Sequence, residues 1–266
     1  MAAAKNFART FGQDLMRGEH VVGTSEVEGD ASQTGTSIFD PVLCELAYRW
    51  FCPPGGSILD PFAGGSVRGI VASCLGFRYT GVELRTEQVT ANRAQANIAT
   101  GPAPTWLQGD SRNIPTIAPG EYDMIFSCPP YADLEVYSDD PADLSTLPYP
   151  EFLRAYGHII QRSTAMLKDN RFAVFVVGDV RGKDGNYYGF PWDTIDLFKQ
   201  CGLYLYNEAV LVTPAGSLPV RTGKQFRASR KLGKTHQNLL VFVKGDGKKA
   251  AAACVAANDN KHLVAE

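Results

Sequence analysis

The stretch Ser57-Ile58-Leu59-Asp60-Pro61-Phe62-Ala63-Gly64-Gly65-Ser66 decides how the chain is read. Ser57–Asp60 reads as a short strand. Val67–Leu75 reads as a helix, with Gly76 as its C′ glycine. A strand that runs through a glycine-rich turn into a helix begins an alternating α/β pattern. The glycines let the backbone come close to a ligand and adopt positive φ. The helix that starts there turns its free N–H groups toward the same loop.

Outward from this turn the alternation continues. Upstream, Asp40-Pro41 opens a helix over Asp40–Phe51, with Leu43, Leu46, Ala47 and Trp50 at helical spacing. Pro53-Pro54-Gly55-Gly56 stops it. Downstream, strands are expected over Tyr79–Leu84, Thr105–Leu107, Tyr122–Ser127, Phe172–Gly178, Leu203–Val212 and Leu239–Lys244. Helices are expected over Thr86–Ala99, Pro150–Leu167 and Trp192–Cys201. The run Phe172–Gly178 is continuously apolar, as in a strand buried on both faces. This order predicts a mostly parallel, seven-stranded α/β sheet with helices on both faces. Right-handed crossovers then place ligand-binding loops at the carboxyl ends of the strands.

Acidic residues fall at those ends. Glu83 closes the second strand about 20 residues after the turn, where a carboxylate can accept hydrogen bonds from both hydroxyls of a ribose. Asp110 and Ser111 follow the third strand. The turn itself carries neither Gly-x-Gly-x-x-Gly nor Gly-Lys-Ser/Thr, so it is indicated neither as a dinucleotide loop nor as a P-loop. The plainer alternative makes Asp60 a helix cap and Glu83 a solvated strand end.

Asp60-Pro61-Phe62-Ala63-Gly64 resembles the S-adenosylmethionine (SAM) loop of amino-methylating DNA methyltransferases. The resemblance implies a class I, Rossmann-like fold with SAM as cofactor. Asp60, Pro61, Phe62, Ala63, Gly64 and Gly65 would lie along its methionine part, Glu83 would hold its ribose, and Asp110 and Ser111 its adenine. Thr36-Ser37-Ile38-Phe39-Asp40-Pro41 resembles the helix-start motif of the same family. It would place Ser37, Phe39 and Asp40 at the SAM carboxylate, in keeping with the preference of anions for helix N-termini. Gly64-Gly65-Ser66 stands where the family usually has Gly-Ser-Gly.

The fourth strand leads into Ser127-Cys128-Pro129-Pro130-Tyr131. Two prolines stiffen a loop and remove two backbone donors, leaving carbonyl acceptors. Acceptors of this kind can hold an exocyclic amine with its lone pair aimed at a methyl donor. An aromatic beside them can stack on a base that has left the duplex. The loop resembles the Asp/Asn/Ser-Pro-Pro-Tyr motif of the family, but Cys128 stands where an acceptor is usual, and a thiol accepts weakly. Ser127 sits one position early. Two chemistries stay open: amino methylation held by Ser127, Cys128, Pro129, Pro130 and Tyr131, and C5 methylation of cytosine by thiolate attack from Cys128. Cys128 as a small packed residue is a third reading. Residues 132–140 are acidic and aromatic, either an exposed loop or a lid over the base. The Cys-Pro-Pro-Tyr form resembles methylases of bacteriophage genomes, which implies DNA modification of the restriction–modification type.

Between the last two strands lie Arg221, Lys224, Arg227, Arg230, Lys231 and Lys234, and no acid occurs from Ala209 to Gly245. In a chain of net charge −2, such clustering marks a local phosphate-binding arm. The alternative is a solvated hairpin. Thr213-Pro214-Ala215-Gly216 opens what reads as a long loop. Phosphate contacts give affinity and no sequence specificity. Specificity is left to residues 1–35, to residues 132–150, or to a second subunit in a homodimer.

The 266 residues suffice for one α/β domain, with 44% hydrophobic and 20% charged residues. Residues 36–245 form the expected domain, flanked by a flexible arm (1–35) and a tail from residue 246 that is disordered or weakly helical. The six cysteines form no CxxC pair, which points to reduced thiols and no metal site. No apolar run spans a bilayer and no signal-peptide core stands near Met1. A cytoplasmic protein of a bacterial or phage-infected cell is expected, with double-stranded DNA as partner and no membrane. The rival readings are an RNA methyltransferase, a non-catalytic nucleic-acid-binding protein of this fold, and a small-molecule methyltransferase, which leaves the basic segment unexplained.

Overall fold

The computed structural model describes residues 39–131, 138–212 and 218–255. The arm at 1–35, Ser37, the segment 132–137 and the end of the chain from 256 lie outside the described residues.

The elements follow in the order α1 (Pro41–Phe51), β1 (Ser57–Asp60), α2 (Val67–Cys74), β2 (Arg78–Glu83), α3 (Thr86–Ala94), β3 (Thr105–Gln108), α4 (Ile114–Ile117), β4 (Tyr122–Ser127), α5 (Tyr149–Ala165), β5 (Leu167–Val177), α6 (Phe190–Gln200), β6 (Leu203–Val212), α7 (Leu218–Ser229), β7 (His236–Lys244) and α8 (Gly247–Cys254). The strands form one seven-stranded sheet in the order β3-β2-β1-β4-β5-β7-β6. Strands β1 to β5 pair in parallel, while β7 runs antiparallel between β5 and β6. From β1 the chain first builds outward to β3, then returns to lay β4 on the other side of β1. A crevice opens at that switch point, at the carboxyl ends of β1 and β4.

Alternation along the central strands divides the core between the two faces. Ile58, Met124, Phe126, Phe172, Val174 and Val176 share one face with Tyr48, Tyr79 and Trp106. Leu59, Ile125, Ala173, Phe175 and Val177 share the other with Phe152, Tyr156, Phe190 and Phe198. Phe198 and Phe242 stack there with ring centroids 3.9 Å apart. Each large side chain so buried is worth about 1.5–3 kcal/mol over exposure.

Several local readings are corrected. In α1 the face toward the sheet is Cys44, Ala47 and Tyr48, whereas Leu46 and Trp50 are exposed; the packed stripe is turned by about one residue, and Tyr48 Oη donates to the Arg68 carbonyl at 3.0 Å. The helix from Thr86 ends at Ala94 and tightens into a 3₁₀ turn at Ala96–Ile98. β5 begins at Leu167, five residues early, and passes through a left-handed Asn170 (φ 56°). The basic segment is not a long loop throughout: Leu218–Ser229 is helical, in keeping with the helix propensities of Lys224, Gln225, Arg227 and Ala228. Gly247–Cys254, assigned to the tail, is a helix capped by the Asp246 carboxylate, which accepts from Lys248 N at 2.8 Å and Lys249 N at 3.1 Å. Ala250 is fully buried in the core. β6 lies at the sheet edge with Tyr204, Tyr206, Val210 and Val212 exposed.

Candidate active site

At the switch point lies a cleft of about 960 Å³. Its floor is the β1–α2 turn, and that turn is held by Asp60. The Asp60 side chain is fully buried. Its carboxylate accepts from Arg68 Nε at 2.6 Å, Tyr79 Oη at 2.8 Å, Ser127 Oγ at 2.6 Å and Phe62 N at 3.1 Å. Four donors from α2, β2, β4 and the turn itself therefore converge on one carboxylate. Such a group is stable in the interior because every lone pair is used.

The rest of the turn is fixed as closely. Gly64 takes φ 50°, a left-handed conformation that favours glycine. Its N–H donates to Glu83 Oε2 at 2.9 Å, and its carbonyl accepts from Asn92 Nδ2 at 2.7 Å. Glu83 also accepts from Arg85 N at 3.0 Å. Burial raises the Glu83 pKa, against the lowering effect of the Arg85 and Gly64 N–H groups. Ser66 Oγ donates to Gln95 Oε1, and Ser111 Oγ donates to the Pro61 carbonyl at 2.6 Å. Asp110 accepts from Arg112 N at 2.9 Å and Arg112 Nε at 2.7 Å.

The opposite wall carries the Pro-Pro-Tyr loop. Cys128, Pro129, Pro130 and Tyr131 all line the cleft. Tyr131 is pinned: its Oη accepts from Gln237 Nε2 at 2.6 Å, lies 3.6 Å from Cys128 Sγ, and its ring meets Phe190 edge to face at 6.2 Å. Asp179, just past β5, completes this wall. Its Oδ1 accepts from Val180 N at 3.0 Å, Gly189 N at 2.9 Å and Phe190 N at 3.2 Å.

Most residues singled out from sequence come together. Phe39, Asp40, Pro61, Phe62, Gly64, Gly65, Glu83, Asp110, Ser111, the loop from Cys128 to Tyr131, and Lys234 share the one cleft. Asp60, Ala63 and Ser127 do not reach it; all three are fully buried behind the turn. Asp60 is thus no simple helix cap: its carboxylate holds the turn from behind the wall of the cleft. Ser127 points away from the cleft because strand alternation sends it to Asp60 and sends Cys128 to the opening. Nor is Glu83 a solvated strand end, since its side chain is only 12% exposed.

In the basic segment, Lys224, Arg227 and Arg230 are exposed and Lys231 is half-buried. Arg221 lies in α7. Among the described residues none of Lys224, Arg227, Arg230, Lys231 and Lys234 is in a salt bridge. Burial lowers the Lys234 pKa, and Asp179 acts against that shift. Lys234 Nζ also lies 5.9 Å from the Tyr187 ring, which Arg181 covers at 3.8 Å.

Sequence reading missed Arg68, Asp179 and Gln237. Asp179 was open to the same reasoning as Glu83 and Asp110, as an acid just past a strand. Arg68 and Gln237 carried no local signal. Arg68 is buried, with its Nη2 donating to the Phe62 and Ala63 carbonyls, the latter at 2.9 Å. Its Nη1 makes none of these bonds. Among the described residues no hydrogen bond engages Nη1, and Arg68 lines the cleft. No group of three or more His, Cys, Asp or Glu among the described residues is placed to hold a metal ion. No helix among them is long and apolar enough to cross a membrane.

No protein-family model matches the chain, and no curated protein is similar to it in sequence. Solved structures are similar in fold. TrmN from Thermus thermophilus aligns with a TM-score of 0.52 at 17% identity, over 77% of this chain and 48% of that one; the present chain thus spans about half its length. A methyltransferase from Pyrococcus furiosus gives 0.52 at 13% identity, over 92% and 100%. Precorrin-6y C5,15-methyltransferase from Geobacter metallireducens gives 0.50 at 10% identity, over 82% and 94%. The sheet is that of class I, Rossmann-like SAM-dependent methyltransferases.

Proposed function

We propose that this chain transfers the methyl group of SAM to the exocyclic amine of a base flipped out of DNA, N4 of cytosine or N6 of adenine. The observation that carries the reading is one cleft with two dissimilar walls. Glu83 and Asp110 stand on one wall, and the Cys128-Pro129-Pro130-Tyr131 loop on the other.

The first wall fits SAM. Carboxylates at Glu83 and Asp110 suit the ribose hydroxyls and the adenine edge, Phe39, Val82 and Leu84 supply apolar surface, and the unfilled Nη1 of Arg68 offers a donor to an anionic group. Bound SAM supplies an electrophilic methyl group on a sulfonium.

The second wall holds the acceptor. The carbonyls of the Pro-Pro pair accept from the amine N–H groups and aim its lone pair. With Ser127 turned toward Asp60, the side chain before the prolines is the thiol of Cys128, so the backbone carries most of this contact. Tyr131, fixed by Gln237 and Phe190, gives the base a rigid ring to stack on. Transfer of that methyl group would leave the donor as a neutral thioether, with the carbon–sulfur electron pair on sulfur, and would require the amine to give up a proton. Asp179 has one oxygen held by three N–H groups and the other without a hydrogen bond among the described residues, which makes it the carboxylate on this wall able to take that proton. Arg221, Lys224, Arg227, Arg230, Lys231 and Lys234 bind the phosphate backbone beside the opening.

The test offers labelled SAM with duplex DNA, single-stranded DNA and RNA in parallel. Label in DNA is expected, and label in RNA alone overturns the DNA assignment. Cys128→Ser separates the two chemistries: amino methylation survives it, while attack by the thiolate does not.

A further inference from the structure

We propose that Arg68, through Nη1, is the seat of the SAM carboxylate, in place of the N-terminus of α1. The proposal rests on the reading of the cleft as a SAM site.

A helix N-terminus attracts an anion only while its first N–H groups are unfilled. At α1 they are filled from within. Asp40 Oδ1 accepts from Val42 N at 2.8 Å and Leu43 N at 3.3 Å. Asp40 also brings its own negative charge to that end of the cleft, which opposes a second carboxylate. The helix that follows the glycine turn offers a different donor. Arg68 is held from below by Asp60 at 2.6 Å and by the Ala63 carbonyl at 2.9 Å. Phe39 lies against its guanidinium carbon, 4.8 Å from ring centroid. These contacts engage Nε and Nη2 and leave Nη1, on a side chain that lines the cleft, without a hydrogen bond among the described residues.

The other cations on the cleft wall are placed for other partners. Arg85 is directed to Glu83, Glu87 and Gln88. Lys234 stands with Asp179 on the wall of the Pro-Pro-Tyr loop. Arg68 is therefore the cation that a carboxylate in the SAM half of the cleft meets. Its orientation is set before binding, so little freedom is lost when the bond forms. Charge-assisted bonds of this kind are short and directional.

The test compares ligands with and without the amino-acid group, by calorimetry on the full chain. S-adenosylhomocysteine carries the carboxylate; 5′-methylthioadenosine keeps the nucleoside and the thioether only. Arg68→Lys, which keeps a cation beside Asp60, and the paired Arg68→Gln with Asp60→Asn, which removes both charges, are each expected to weaken S-adenosylhomocysteine by about 10- to 100-fold and to leave methylthioadenosine within about 3-fold. Equal weakening of both ligands reduces Arg68 to a structural residue and overturns the proposal, as does no change in either. Should both variants fail to fold, the wild type is titrated with decarboxylated S-adenosylhomocysteine. A loss of about 10- to 100-fold supports the proposal, and equal affinity overturns it. A wild type that binds none of these ligands overturns the SAM reading itself, a result distinct from binding without discrimination.

Discussion

The two walls of the cleft are built on opposite plans. On the SAM side every strand end is tied to another: Asp60 gathers donors from α2, β2 and β4, and Gly64 is bonded through both its N–H and its carbonyl. On the other side the fixed part is small, a Pro-Pro pair and a pinned Tyr131. Beyond it lie exposed cations on and after α7 without ion-pair partners among the described residues. A small ligand of constant shape is best met by a site organised in advance. A long charged polymer is met by exposed charge, which acts at a distance and tolerates imperfect fit.

The largest expected effect comes from breaking the element the walls share. Asp60→Ala leaves Arg68 buried without its counter-charge and frees Ser127 of β4. Chemical denaturation should show a loss of about 3–5 kcal/mol, and calorimetry should show S-adenosylhomocysteine binding abolished. Unchanged stability would mean that the walls are independent.

Charge reversal on the exposed side should act on one wall alone. Lys224→Glu, Arg227→Glu and Arg230→Glu together are expected to weaken duplex DNA about 100-fold near 0.1 M salt, with a shallower salt dependence. S-adenosylhomocysteine binding should stay as in the wild type. Filter-binding titrations across salt concentrations check both.

Glu83→Ala is the mirror of that experiment. S-adenosylhomocysteine should bind about 10- to 30-fold more weakly, as expected for lost hydrogen bonds to a charged acceptor, with DNA affinity unchanged. A matching fall in DNA affinity would join the two walls.

The smallest effect lies at the far end of β4. Asp123 is held at a pKa of about 2: burial pushes it up, but hydrogen bonds from Lys168, Ser57 and Arg171 outweigh that and bring it down from 3.8. A depressed carboxylate contributes stability above its unfolded pKa and loses it as pH falls through the folded value. Asp123→Asn should therefore cost under about 1 kcal/mol at neutral pH, given the partial exposure of its partners. The difference should vanish between pH 4 and pH 2, with both ligand affinities unaffected.

What could be read from the sequence follows the same division. The β1 turn, Glu83 and Asp110 were legible because each is declared by its place after a strand. The Pro-Pro-Tyr loop was legible because its chemistry lies in five consecutive residues. The inward turn of Ser127 was not, since it depends on which face of β4 meets Asp60, nor was the role of Arg68, which needs α2 folded against that carboxylate. The helical face of α1 was misplaced because its exposed Leu46 and Trp50 carry the same apolar signal as a buried stripe. The helix at α7 was hidden by the Thr213-Pro214-Ala215-Gly216 opening, which suggests a loop, and by Pro219 and Gly223 within the helix, both poor helix formers.

The central claim is methyl transfer to a base amine in DNA. It is tested most directly by incubating the wild-type chain with methyl-labelled SAM and mixed-sequence duplex DNA, digesting to nucleosides, and resolving them by mass. Label is expected in N4-methylcytosine or N6-methyladenine. Label in 5-methylcytosine, or DNA without label from a chain that binds S-adenosylhomocysteine, would contradict it.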